Sequence, residues 1–160
     1  MILWMMRVMP LRNSLTRLDL VKSPNTQHLS IPASTAYLAT VRDFVGTHAA
    51  NFGFQASDID AIRLAVDEAC TNVIKHAYEY DDSRQVMVYV GTKNAQFWVS
   101  IIDRGRTFDY EMYIEPDIKE RIKLKKRGGV GVYLIRQLMD EVMYSHSDGV
   151  NEIRMIKHKL

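Results

Sequence analysis

Three groups of residues in this chain have types and spacings that could do chemistry. The first lies in VDEACTNVIKHAY (Val66–Tyr78), where Glu68, Asn72 and His76 follow one another four residues apart. On a helix that spacing lines up three polar side chains on one face, the side away from Ile62, Val66 and Val73. An asparagine inside a helix competes with the backbone for hydrogen bonds, so helix formation does not account for it. A solvated outer face is the plain alternative. Two details count against that alternative. Ala61 and Ala65 continue the stripe with small side chains, and no lysine or arginine stands four residues after Glu68 to form the usual stabilising pair.

The second group is Asp103-Arg104-Gly105, directly after the apolar run QFWVSIID. A carboxylate followed by glycine at a strand end is either a tight turn or a place where the backbone can approach a ligand closely. The third is KKRGGVGVYLIRQL, with Gly128, Gly129 and Gly131 just before and at the start of a helix. Free N–H groups and the helix dipole suit phosphate there, although a flexible loop has the same composition. It is not the Walker phosphate loop, since no Gly-Lys-Ser/Thr follows and no strand leads into it, nor is it a Rossmann turn.

The elements that must position these groups can be read from periodicity. His28–Ile31 is a short strand, and PAS then starts a helix over STAYLATVRDFVGTHAANFG. In it Tyr37, Val41, Phe44 and Val45 recur at helical spacing, and Gly53 ends the unit. Ser57 is the expected cap of the next helix, with Asp60 as its capping-box partner. Ile59, Ile62, Val66, Ala69, Val73 and Ala77 form that helix's apolar face. RQVMVYVGT and QFWVSIID alternate as two antiparallel strands around a turn at Lys93–Ala95. A loop from Arg104 to Gly129 precedes the helix VGVYLIRQLMD. The chain then ends in a hairpin, VMYSHSDGVNEIRMIKHKL, with Asp148-Gly149 as its turn. Helices first and strands later, with one helix between the strands, point to a two-layer α+β sandwich.

Composition narrows the function. At 160 residues the chain holds one domain with a real core. A net charge of +2 supplies no strong field for nucleic acid or an anionic membrane. The single cysteine, Cys70, cannot form an internal disulfide or a multi-cysteine metal site, and a cytoplasmic, reducing location is expected. The apolar opening MILWMMRVMP is interrupted by Arg7 and lacks a cleavage site. It is also far short of the roughly 20 apolar residues that span a membrane. Residues 1–27 read as a poorly specified leader, and 28–160 as the domain.

The three groups, in this order, resemble the nucleotide-binding boxes of the GHKL ATPases: Glu-x-x-x-Asn on a helix, Asp-x-Gly after a strand, Gly-Gly-x-Gly opening a helix. LAVDEACTNVIKHAY, DRGRTFD and GGVGVYLIRQLMDEV look most like the anti-sigma factor serine/threonine kinases of that superfamily, from about Ile31 to the C-terminus. The resemblance implies a Bergerat-type fold, a mixed, mostly antiparallel sheet covered by helices on one face. It implies ATP and Mg2+, with Glu68 as general base and Asn72 as the metal ligand that bridges to the phosphates. Asp103 would accept a hydrogen bond from the adenine amino group, Gly105 would permit close packing against the base, and Gly128, Gly129 and Gly131 would surround the phosphates. The segment between Asp109 and Gly128 would be the ATP lid, with Arg127 the foremost phosphate contact and Lys126 the second. Its implied partners are an anti-anti-sigma protein of the STAS type, a sigma factor and a second copy of the chain. A nucleotide-gated binding module with little catalysis is the alternative. This sequence departs from the common pattern in two places. Arg106, Thr107 and Phe108 follow Gly105 where many relatives carry a second glycine, and Asn151 stands where some carry a threonine near the adenine. His76 is open between a phosphate neighbour and a solvent-facing residue.

Overall fold

Val86, Val88 and Val90 alternate with Met87, Tyr89 and Gly91. In the computed structural model, which describes residues 23–108, 117–123 and 130–160, that alternation is strand β2 (Gln85–Lys93). Its three valines are buried beneath helices on one side of a sheet. The other strands are β1 (Gln27–Pro32), β3 (Gln96–Asp103), β4 (Glu141–Ser147) and β5 (Val150–His158). The spatial order is β1-β2-β3-β5-β4. All four pairings are antiparallel, so the parallel component of the expected mixed sheet does not occur among the described residues. The antiparallel hairpins β2–β3 and β4–β5 follow from their two-residue turns. Asn94 adopts φ 54° in the first, and Asp148 and Gly149 adopt 53° and 73° in the second, the pair of left-handed residues a type I′ turn requires.

The helices on the inner face are α1 (Leu38–Phe52), α2 (Ala56–Asn72) and α4 (Gly131–Leu138), and the short helix α3 (Ile118–Lys123) precedes α4 in the chain. Ser34 caps a 3-10 turn, Thr35–Tyr37, that leads into α1, and Gly53 closes α1 at φ 102°, a conformation glycine adopts without steric cost. The core joins Val41, Val45 and Ala49 of α1 with Ile62, Val66 and Ala69 of α2. Beneath them lie Phe97, Val99 and Ile101 of β3 and Met155 of β5. Each large apolar side chain taken fully out of water contributes about 1.5–3 kcal/mol.

Three boundaries differ from the sequence reading. Ser57 lies inside α2 and does not cap it. Gln55 is the cap, extended at φ −76° and ψ 163°, and its carbonyl accepts from the N–H groups of Asp58 and Ile59. The predicted loop 104–129 contains α3, whose first turn is closed by Asp117, since the Glu120 N–H donates to Asp117 Oδ1 at 3.0 Å. Helix α4 stops at Leu138 and not at Asp140. The Asp140 N–H donates to the Ile156 carbonyl and its carboxylate accepts from the His158 N–H, which draws the chain onto the sheet.

The outer face of the sheet carries no helix among the described residues. Trp98 and Ile156 pack there with Tyr89, and Ser100, Glu152 and Arg154 form a half-buried hydrogen-bonded group, with the Arg154 guanidinium 5.6 Å over the Trp98 ring.

Ile62 and Leu64 test this layering on one helix, because Ile62 is fully buried and Leu64 is exposed. Ile62→Ala should lower unfolding free energy by about 2–5 kcal/mol, read as a lower urea midpoint with an unchanged slope. Leu64→Ala should stay within about 0.5 kcal/mol of wild type. Equal losses would show that α2 does not face the sheet through Ile62.

Candidate functional site

The polar stripe of α2 is only partly open to water at Glu68 and Asn72, which are half-buried. Ala65, one turn before Glu68 on the same stripe, is fully buried, and α4 packs across this side of α2. Gly131, the first residue of α4, lies directly over the stripe. A β-carbon placed on it would be 2.9 Å from Glu68 Oε2 and 3.3 Å from Asn72 Nδ2. A larger residue there would have to push the Glu68 and Asn72 side-chain ends aside. Partial burial pushes the Glu68 carboxyl above its ordinary value. The neighbouring Asp67 adds to the effect, and the Lys75 ammonium partly opposes it. A carboxylate held in a partly desolvated position with raised proton affinity is suited to taking a proton from a hydroxyl.

After Asn72 the chain changes pitch. Val73–Ala77 is a π-helical turn, closed by the Tyr78 N–H donating to the Val73 carbonyl at 3.0 Å. Turns of this kind often mark functional sites. The turn breaks the four-residue phase, and His76 ends exposed, without a hydrogen bond among the described residues. Glu79 and Tyr80 follow with φ of 50° and 63°, two residues in a region that costs non-glycine side chains of order 1–2 kcal/mol each. Tyr78 holds this exit in place. Its hydroxyl donates to the Gln85 carbonyl at 2.8 Å and accepts from the Arg104 N–H at 2.8 Å.

Asp103 ends β3 on the same face as Phe97, Val99 and Ile101, so its carboxylate lies on the helical side of the sheet, only 6% exposed. Its Oδ1 accepts from the Gly105 N–H at 2.8 Å and from Asn151 Nδ2 at 2.8 Å. Asp-x-Gly is therefore a side-chain-closed turn, and among the described residues its other oxygen, Oδ2, accepts nothing. Gly105 also makes a close approach within the protein. A β-carbon there would run into the Ala77 carbonyl oxygen, to which the Arg106 N–H donates at 2.9 Å. Its missing side chain lets the turn after β3 dock on the π turn of α2. The carboxylate of Asp103 and the stripe of Glu68 and Asn72 are thus parts of one corner of the molecule.

The model of the histidine kinase-like ATPase domain matches residues 31–157. The chain belongs to the histidine kinase-like ATPases. Serine-protein kinase RsbW of Bacillus thuringiensis (strain Al Hakam) is 31% identical over 126 residues, 76% of this chain and 78% of that protein, and RsbW of Bacillus cereus (strain 03BB102) aligns equally well. The solved structure of the RsbU and RsbW domains of Rv1364c from Mycobacterium tuberculosis shares the fold, with a TM-score of 0.60 at 21% identity. The match covers 83% of this chain and 32% of that one.

Within this family frame the structure brings together Glu68, Asn72, Gly131, Asp103 and Gly105. The expected phosphate residues Arg127, Gly128 and Gly129, with Lys126 and most of the lid, lie outside the described residues. The sequence reading missed Lys75, which acts electrostatically on Glu68, and Tyr78, Thr107 and His146, which brace the Asp103 end. Lys75 carried a signal in its charge next to the stripe; the others carried none before the strand register was known. The donor set fits a magnesium ion bound mainly through phosphates. Asn72 offers one neutral amide oxygen, and the described residues hold no cluster of three or more His, Cys, Asp and Glu side chains. Cys70 is no ligand. It is buried in the core, where desolvation and the nearby Asp67 push its thiol up to about 12. No helix among the described residues is long and apolar enough to cross a membrane.

The raised proton affinity of Glu68 has a consequence for stability. Its folded value lies above 4.5, so ionisation costs the folded state, and the cost appears as pH rises through the folded value. Glu68→Gln should therefore unfold at a higher temperature than wild type at pH 7–8, and the difference should close below the ordinary value. Matched melting temperatures of the two proteins across pH 4–8 would contradict the assignment.

Proposed function

We propose that this chain is an ATP-dependent serine/threonine protein kinase acting as the regulatory component of an anti-sigma partner switch. The single observation that carries the reading is the placement of Glu68 and Asn72 beneath Gly131 at the start of α4. The serine-protein kinase name of the 31%-identical relatives supports it. Asp103 would read the adenine amino group through Oδ2. Asn72 would hold Mg2+ through its amide oxygen, and the ion supplies charge neutralisation at the phosphates. Glu68 orients the acceptor hydroxyl and takes its proton as the oxygen–phosphorus bond forms. The bond between the γ-phosphorus and the bridging oxygen breaks, and ADP departs. Such transfer depends mainly on positioning and electrostatics, which this corner provides through packed backbone.

The acceptor is a folded protein of the anti-anti-sigma, STAS-type class, presenting a serine or threonine next to Glu68. A phosphoryl group adds about −1.5 to −2 charges to that contact and breaks it by repulsion and desolvation, which frees the surface for a sigma factor. A second copy of the chain is the further partner.

Glu68→Gln keeps the shape of the site and removes the base. It should bind Mg-ADP as wild type does in calorimetry while phosphoryl transfer to a STAS-type protein falls about 10²–10⁴-fold. Asn72→Ala should lose the magnesium-dependent part of nucleotide affinity. Transfer by Glu68→Gln at the wild-type rate would remove the kinase assignment and leave a nucleotide-gated binding module.

A further inference from the structure

Asn151 begins the inner face of β5, directly opposite Asp103 in the β3–β5 register and opposite His146 in the β4–β5 register. Its side chain makes four hydrogen bonds. Nδ2 donates to Asp103 Oδ1 at 2.8 Å and to the Gly105 carbonyl at 3.1 Å. Oδ1 lies 2.7 Å from His146 Nδ1 and accepts from the Thr107 hydroxyl at 3.1 Å. An asparagine amide has two N–H donors and two acceptor lone pairs, so every capacity is used inside the protein.

The orientation of this amide follows from its neighbours. The carboxylate of Asp103 and the carbonyl of Gly105 can only accept, and both face one end of the amide; that end must be the nitrogen. The oxygen then faces the two groups able to donate, Thr107 Oγ1 and His146 Nδ1. A rotated amide would set its oxygen against a carboxylate oxygen and a carbonyl oxygen and lose both of the bonds to Asp103 and Gly105. The saturated Asn151 has nothing left with which to touch a base, and its effect passes through Asp103. With Oδ1 held by Asn151 and by the Gly105 N–H, the carboxylate cannot turn, and Oδ2 is the oxygen presented to a ligand.

We propose that Asn151 is a positioning residue for nucleobase recognition: braced by Thr107 and His146, it locks Oδ1 of Asp103 so that Oδ2 meets the amino group of adenine. This rests on the reading of Asp103 as the adenine acceptor. It implies that the site selects bases carrying an exocyclic amine at that position over those carrying a carbonyl, and that Asn151 contributes to this selection without contacting the base.

The test compares Mg-ADP with Mg-IDP, the inosine analogue whose 6-position is a carbonyl, in calorimetry on the full chain. Asn151→Ala should weaken ADP binding roughly 10- to 100-fold, the range for loss of one hydrogen bond to a charged group, and should bring the ADP-to-IDP affinity ratio close to one. A residue that only supports the fold would lower both affinities together and leave the ratio unchanged, which would overturn the proposal. Asn151→Asp supplies an isosteric check. The titratable groups bonded to position 151 are Asp103 and His146. Two facing carboxylates cannot both ionise easily, so this variant should select ADP poorly at pH 8. It should regain selection near pH 5.5, when a shared proton lets position 151 donate to Asp103 again. A wild-type ratio at both pH values would also overturn the proposal. Asp103→Asn separates the two levels. If it leaves ADP affinity and the ratio intact, the adenine reading itself fails. If it abolishes the ratio while both Asn151 variants keep it, only the positioning role fails.

Discussion

The backbone of Gly105 rests against the carbonyl of Ala77, closer than any side chain would permit, and the Arg106 N–H closes the seam with a 2.9 Å hydrogen bond. This contact joins the end of β3 to the π turn that ends α2. One side of the seam carries Asp103, and the other continues into Asn72 and Glu68. Neither element by itself would set the separation between the Asp103 carboxylate and the stripe of Glu68 and Asn72. The strained exit at Glu79 and Tyr80 and the two hydrogen bonds of the Tyr78 hydroxyl belong to the same arrangement. Unfavourable backbone conformations persist only where their surroundings determine them, and here the surroundings are the two halves of the site.

The chemistry follows from what the corner excludes. Gly131 brings the start of α4 onto Glu68 and Asn72 and takes them partly out of water. A carboxylate there keeps a higher affinity for a proton than one on the surface, while the neutral amide beside it adds no competing charge. At the other end, two donors occupy Asp103 Oδ1 and leave the second oxygen directed. Glu68, Asn72 and Asp103 are thus held by packed backbone and hydrogen bonds, as suits phosphoryl transfer, which depends on placement more than on reactive side chains.

Much of this was legible in the sequence, for identifiable reasons. Alternating valines, the Asp148-Gly149 turn and Gly53 are local signals, and they mark β2, the terminal hairpin and the end of α1. The order of Glu68, Asn72, Asp103, Gly105 and Gly131 was enough to point at a nucleotide site. What escaped depends on contacts between distant segments. Gly105 reads in the sequence as a place of close approach, and its contact with Ala77 is visible only in the fold. The π turn has no pattern of its own in the sequence, and it lies where the turn after β3 docks on the end of α2. Asn151 reads as a missing threonine until the register sets it opposite both Asp103 and His146. Ser57 is a good cap by type, but the preceding Gln55 is already extended with its carbonyl in the first turn, and the helix starts there.

The central claim is that the Asp103 turn and the α2 stripe form one nucleotide site through the Gly105–Ala77 seam. Amide hydrogen exchange with and without Mg-ADP tests it most directly. The account predicts that nucleotide slows exchange together in the second half of α2, in the π turn Val73–Ala77 and in Asp103–Thr107, with the outer-face segments of β1 and β2 unchanged. Protection confined to one side of the seam, or centred on the outer face around Trp98, would contradict it.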